Sequence, residues 1–231
     1  MASTNLKAVI FDLDGTLVAF KLDVNTCRTE VIQRLTEQGF PRSLFSMKET
    51  AFDMLIKVKN YLKAQGIGDQ NFANIEKMVF SIVERFELEA ARTTEMFPGI
   101  PETLKALRDM NLKLALCTIS GEKAAGYILR RFDLEQFFDA VIPRESVSAV
   151  KPNPVHLDAA LTALEVKFQE AVLVGDSVKD VGSAVPLKVI AVGVTTGLSS
   201  MEELTLAGAH YIASSANEIP KLIMQFNKQA W

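Results

Sequence analysis

Two aspartates stand two residues apart in the run Phe11-Asp12-Leu13-Asp14-Gly15-Thr16-Leu17. Residues i and i+2 of a strand face the same way, so an extended segment aims both carboxylates at one place. Close carboxylates repel unless a cation or a shared proton stabilises them. A hard, oxygen-coordinated ion such as Mg²⁺ suits such a pair. Gly15 permits an unusual backbone angle where the chain leaves the strand. Alone, an Asp-x-Asp-Gly run is also an ordinary polar strand end with a turn, so a chemical reading needs further groups.

Those groups occur. Gly175-Asp176-Ser177-Val178-Lys179-Asp180 ends another apolar run, with Asp180 one helical turn beyond Asp176. Asp176 or Ser177 is equally suited to cap the helix that follows. Thr118 and Ser120 terminate a third run, and Lys151 stands in Lys151-Pro152-Asn153-Pro154, where the prolines fix the entry to a helix. Four acids, a hydroxyl and a lysine therefore fall at the ends of apolar runs.

The elements that must position them follow from the apolar pattern. Short runs rich in Val, Ile and Leu recur at 7–11, 112–117, 138–142, 171–174 and 189–194. They do not alternate cleanly, which suits strands buried on both faces of a parallel sheet. Amphipathic segments follow at 122–132, 154–164 and 201–207, and a weak strand at 210–213 precedes a terminal helix near 218–228. This alternation predicts an α/β fold, a doubly wound Rossmann-like parallel sheet with right-handed crossovers. In such sheets ligands bind at the carboxyl ends of the strands, near the point where strand order reverses. The segments 23–38, 46–65 and 71–92 break the pattern and read as helices, with Gly66-Ile67-Gly68-Asp69 as a turn. The predicted organisation is a catalytic core of 1–20 and 95–231 and an inserted α-helical cap domain of 21–94. A helix is expected after Asp180, although Pro186 interrupts the segment 181–187.

Composition narrows the function classes. The 231 residues are 48% apolar, which excludes intrinsic disorder. Lysine and arginine number 25 against 28 acids, a net charge of -3, so no dedicated nucleic-acid binder is expected. Cys27 and Cys117 are too few for a disulfide framework, which points to a reducing compartment. The first residues show no leader pattern and no run approaches the roughly 18 apolar residues of a membrane helix. A cytoplasmic protein without membrane or nucleic-acid partners, monomeric or homodimeric, is expected.

The order and placement of the motifs resemble the haloacid dehalogenase-like hydrolase superfamily over residues 7–194. Asp12-x-Asp14-x-Thr16 is similar to its first motif, Thr118 to the second, Lys151 to the third, and Gly175-Asp176 with Asp180 to the fourth. The helical insert stands at the family's first cap position, as in phosphoglycolate phosphatases and β-phosphoglucomutases. The stretch between Thr118 and Lys151 has room for one helix and one strand, which leaves the second cap position empty.

The resemblance implies a Mg²⁺-dependent phosphatase that hydrolyses a small phosphorylated metabolite, similar to phosphoglycolate or a sugar phosphate, through an aspartyl-phosphate. Asp12 would be the nucleophile and Asp14 the acid and base. Mg²⁺ would be held by Asp12, Asp176 and the backbone carbonyl of Asp14. Thr118, Ile119, Ser120 and Lys151 would surround the phosphoryl group and substrate, and Asp180 would orient Lys151. The insert would close as a lid, with Lys57, Lys59 and Lys63 offered to an anionic substrate tail. Ile119 stands where many members carry Asn, and Ala19 where many carry an acid. A phosphomutase uses the same core groups and remains open at this point. A phospho-accepting signalling module shares the acids, hydroxyl and lysine but lacks such an insert. His156 and His210 lack metal-ligand spacing and read as structural.

Overall fold

The computed structural model of the chain describes residues 6–66 and 69–228. Ile67 and Gly68 of the expected turn, and the first five residues read for a leader, lie outside that range. The described residues contain β1 Ala8–Phe11, β2 Lys113–Cys117, β3 Ala140–Ile142, β4 Ala171–Gly175, β5 Ile190–Val194 and β6 Tyr211–Ala213. They form one parallel sheet in the order β3-β2-β1-β4-β5-β6. The chain builds outward from β1 to β3, then returns to the other side of β1 as β4. Strand order thus reverses at β1 and β4, where a parallel sheet opens a crevice at its carboxyl edge.

Register decides what meets there. Phe11 lies level with Leu116 of β2 and Val174 of β4. Asp12 therefore follows the sheet at the same level as Cys117 and Gly175, and Thr118 and Asp176 come one residue later. The backbone carries this alignment past the strands: Asp12 N–H donates to Val174 O at 2.9 Å and Thr118 N–H to Ile142 O at 3.1 Å. All four residues of β1 are buried, as a central strand covered on both faces requires.

The chain divides into two compact units, Leu22–Arg92 and the sheet unit made of what precedes and follows it. The first contains α1 Val24–Glu37, α2 Ala51–Ala64 and most of α3 Asp69–Thr93. Asp23 caps α1 by accepting Thr26 N–H at 3.0 Å. Thr50 and Asp53 form a capping box that starts α2 five residues later than the apolar pattern suggests. Cys27, Val31, Ile32 and Leu35 of α1 pack with Met54, Leu55, Val58 and Leu62 of α2 and Val79, Ile82, Val83 and Phe86 of α3. This unit has its own core.

The sheet unit adds α4 Ile100–Asp109, α5 Glu122–Arg131, α6 Pro154–Leu164, α7 Val178–Ala184, α8 Met201–Leu206 and α9 Ile219–Lys228. Ala8, Ile10, Ala115, Cys117, Leu173 and Ala191 pack with Leu157, Ala160 and Leu161 of α6 and Val181 and Ala184 of α7. Each fully buried Leu or Ile contributes about 1.5–3 kcal/mol, so this layer fixes the heights at which the strand ends stop. Two differences from the sequence reading stand out. Helix α4 lies where no helix was expected, because Pro98, Gly99 and Pro101 hide an apolar stripe of Ile100, Leu104 and Leu107. Helix α7 stops at Ala184 and tightens into a 3-10 turn at Val185–Leu187, as Pro186 dictates.

Candidate active site

The loop after β1 turns back at once. Leu13 O accepts Leu17 N–H at 2.9 Å and Val18 N–H at 3.1 Å. The turn needs a positive φ at Gly15, 89°. Gly15 also makes room: a Cβ there would lie 2.4 Å from Asp176 Oδ2. On the other side a Cβ at Gly197 would lie 1.9 Å from the same oxygen. The Asp176 carboxylate therefore fits only between two glycines. Leu198 N–H donates to Asp176 Oδ2 at 2.6 Å, and Thr196 Oγ1 donates to Gly15 O at 2.5 Å. The turn after β5, which sequence reasoning passed over, thus walls one side of the site. Its one signal was Thr195-Thr196-Gly197 directly after a buried strand.

Lys151 is the hub. Asn153 caps α6 by accepting Val155 N–H at 3.0 Å, which fixes the loop that carries Lys151. The Lys151 ammonium donates to Asp12 Oδ1, Asp180 Oδ1 and Cys117 O, each at 2.6 Å. Its side chain is buried, as are Asp12 and Asp180. Burial lowers the pKa of Lys151, but the Asp12 and Asp180 carboxylates outweigh it and hold the ammonium above the usual lysine range. Ser177 and Asp180 form a capping box on α7, with Ser177 N–H and Oγ both donating to Asp180 Oδ2. One oxygen of Asp180 thus serves the helix and the other serves Lys151.

Asp14, half-buried, accepts the Ser120 hydroxyl at 2.6 Å. Ser120 N–H in turn donates to Thr118 Oγ1 at 3.1 Å. Arg144, buried at the end of β3, donates from its backbone N–H to Ser120 O and from its guanidinium to Ile119 O. Ile119 therefore offers its carbonyl to Arg144. These bonds make two sets, Asp12–Lys151–Asp180 and Asp14–Ser120–Thr118, and Thr16 Oγ1 reaches Asp176 Oδ1 at 3.5 Å. The three lysines of α2 do not form one group. Lys57 is spent on Glu49 at 2.6 Å and Leu44 O at 3.0 Å, whereas Lys59 and Lys63 lie four residues apart on another face of α2.

Charge in this site is unbalanced. Oxygens of Asp12, Asp176 and Asp180 lie within 4.8 Å of one another, and Asp14 adds a fourth carboxyl group against one ammonium. Burial pushes Asp12 well up, Lys151 pulls it down, and Asp180 and Asp176 push it up again, for a net rise. Burial and then the Asp180 charge push Asp176 up to about 6. Burial raises Asp14 too, against the Ser120 hydrogen bond and the Lys151 charge. An all-oxygen donor set with surplus negative charge fits a hard divalent cation such as Mg²⁺. Asp180 is the most fully engaged of the three, with Lys151 on one oxygen and Ser177 N–H and Oγ on the other, whereas Asp176 has Leu198 N–H and a 3.5 Å contact from Thr16, so Asp12 and Asp176 are the carboxylates suited to ligate.

Comparison with known proteins agrees in fold and family. The sequence model of the haloacid dehalogenase-like hydrolase family matches residues 9–194. The chain is 33% identical over 176 residues to the pyrophosphatase PpaX of Halalkalibacterium halodurans, covering 76% of this chain and 77% of that one. It is 32% identical over 184 residues to a phosphoglycolate phosphatase of Cereibacter sphaeroides, covering 78% and 80%. Among solved structures, a putative β-phosphoglucomutase from Thermotoga maritima superposes with a TM-score of 0.62 at 28% identity, covering 95% of this chain and 99% of that one. A putative haloacid dehalogenase-like hydrolase from Bacteroides fragilis gives 0.69 at 22% identity, covering 93% and 99%.

Proposed function

The chain belongs to the haloacid dehalogenase-like hydrolase family and is a phosphatase, and from that premise we propose that it hydrolyses a small phosphorylated metabolite through an aspartyl-phosphate on Asp12, with Mg²⁺ as cofactor. The substrate class follows the relatives, as a phosphoglycolate-like or sugar-phosphate-like monoester. The division into a catalytic core of 1–20 and 95–231 and a cap of 21–94 is part of the same proposal.

The observation that carries it is the position of Asp12. Its carboxylate ends the central strand and touches the Lys151 ammonium at 2.6 Å. A carboxylate is a competent nucleophile toward phosphorus once the charge clash is relieved. Asp12 attacks phosphorus as the ester P–O bond breaks, and Asp14 gives its proton to the leaving oxygen. Asp14 then takes a proton from the water that attacks the phosphorus of the aspartyl-phosphate, which releases inorganic phosphate and regenerates Asp12. Thr118 Oγ1 accepts Ser120 N–H and keeps its own proton for a phosphoryl oxygen. Lys151 supplies the matching positive charge, and Asp180 holds it in place. Mg²⁺, held by Asp12, Asp176 and the backbone carbonyl of Asp14, would neutralise phosphoryl charge.

The test is Asp12→Asn, which keeps size and removes the attacking charge. Turnover of phosphate monoesters should fall by more than about 1,000-fold with the fold intact by circular dichroism. Activity within about tenfold of the wild type would sink Asp12 as nucleophile. The likeness to a putative β-phosphoglucomutase keeps a second reading, transfer of the phosphoryl group back to a sugar phosphate. Rapid release of inorganic phosphate from every substrate that is turned over would exclude it.

A further inference from the structure

We propose that His156 is a positioning residue that couples Thr118 to Lys151, the two groups assigned to the phosphoryl oxygens; the inference rests on that reading of the site. In sequence His156 is an isolated histidine on α6, with nothing to mark it.

The imidazole is fully buried and lies between two segments of the site. Its Nδ1 accepts the backbone N–H of Lys151 at 3.3 Å. Its Nε2 faces Ile142 O at 3.1 Å. Only one tautomer satisfies both contacts: Nδ1 bare and Nε2 protonated. Ile142 O is also the acceptor for Thr118 N–H, at 3.1 Å. One carbonyl at the end of β3 is therefore shared by the backbone of Thr118 and the ring that holds the backbone of Lys151. A further pair of contacts closes the circuit. Cys117 Sγ–H points to His156 O at 3.6 Å, while Cys117 O receives the Lys151 ammonium at 2.6 Å.

The surroundings keep the ring in the required state. Burial, and then the Lys151 charge, lower its pKa to about 4. The other charged group that faces it is Asp180, which acts weakly in the opposite direction. A neutral imidazole is thus maintained through the physiological range. A charged ring would present an N–H to the Lys151 N–H and break the link.

A purely packing role and a positioning role predict different kinetics. If the ring only fills space, an apolar ring of similar size leaves a folded enzyme with ordinary turnover. If it sets Lys151 against Thr118, loss of its two polar atoms lets the ammonium and hydroxyl drift apart, and small misplacements at a reacting centre cost up to about 100-fold in rate.

The experiment compares the wild type, His156→Phe and His156→Asn with Mg²⁺ and p-nitrophenyl phosphate, well below each variant's Tm. His156→Phe should lower kcat by about 30-fold or more with KM changed less than about threefold. His156→Asn, whose Oδ1 can take the place of Nδ1 as acceptor for Lys151 N–H, should regain at least about fivefold of that loss. A Phe variant with kcat within about threefold of the wild type, or an Asn variant no better than Phe, overturns the proposal. Should the Phe variant fail to fold, ¹⁵N NMR of the wild-type imidazole decides. A neutral ring protonated at Nε2 from pH 5 to 8 supports the link, and a proton on Nδ1 or a titration near the ordinary histidine value refutes it. His210→Gln assigns the second histidine signal. A wild type inert toward every monoester with Mg²⁺ would instead overturn the phosphatase reading, and the NMR result would still decide the hydrogen bonds.

Discussion

The Ser120 hydroxyl donates to Asp14 Oδ2 at 2.6 Å, across 106 residues of sequence. Ser120 was expected among the groups around the phosphoryl unit, and the structure gives its side chain to the proposed acid and base instead. The bond favours the ionised form of Asp14 against the burial that raises its pKa.

Ser120→Ala should therefore raise the pKa of Asp14 further. In the first step Asp14 must carry its proton, so the alkaline limb of the kcat/KM–pH profile, where that proton is lost, should move to higher pH. An unmoved alkaline limb would show that Ser120 does not act through Asp14.

Lys151 lies between two buried carboxylates, so its loss leaves two uncompensated charges. Lys151→Met should destabilise the Mg²⁺-free protein by about 3–5 kcal/mol in urea unfolding. Adding Asp180→Asn should recover part of that cost, because one stranded charge is removed with it. Additive losses in the double variant would mean that the pair is not coupled.

Metal binding should compete with protons. The pKa values of Asp12, Asp14 and Asp176 are raised, so in the metal-free protein their contribution to stability is full below the ordinary carboxylate range. It is lost as pH climbs through the folded values, about 6 for Asp176. His156, lowered to about 4, works in the opposite direction in both metal-free and metal-bound protein. The Mg²⁺-induced rise in Tm should consequently be small at pH 4.5 and grow toward pH 7.5. At a Mg²⁺ concentration of 100 Kd the gain should be about 2.7 kcal/mol. Excess EDTA should abolish turnover, with restoration by Mg²⁺ and poor substitution by Ca²⁺. A Tm shift independent of pH would remove the carboxylates from the metal site.

Gly197→Ala places a methyl group against the Asp176 carboxylate, 1.9 Å from Oδ2 if nothing moves. Asp176 must shift, because its short side chain has no slack. Mg²⁺ affinity, read by titration of activity, should fall by at least about tenfold, equivalent to about 1.4 kcal/mol. The same change should cost about 1–3 kcal/mol of urea stability without Mg²⁺, the usual penalty for overpacking a site without slack. Unchanged Mg²⁺ affinity would show that Asp176 is not a ligand.

The parts of this protein legible in the sequence are those settled within a few residues. The apolar runs predict five buried strands and a weaker sixth because burial on both faces imposes its own composition. The capping box of Ser177 and Asp180 and the Asn153 cap beside Lys151 follow from side chains that reach only three positions or fewer along the chain. The same locality explains the failure at α4, where Pro98, Gly99 and Pro101 dominate the pattern although Ile100, Leu104 and Leu107 are buried.

Chain sequence placed Asp12, Thr118, Lys151 and Asp176 at strand ends without saying that the ends are level. That depends on register, which puts Phe11 beside both Leu116 and Val174. Register is a property of pairing between distant segments, so no local pattern contains it. For the same reason the glycine at 197 gave no sign of its role against Asp176, nor Ser120 of its bond to Asp14. His156 looked like any core histidine until β3 brought Ile142 to one side of the ring and the proline loop brought Lys151 to the other. Residue types determined which chemistry this chain can carry. Only the tertiary structure decided which distant groups share a hydrogen bond, because each such bond joins residues far apart in sequence whose distance in space is set by the folding of everything between them.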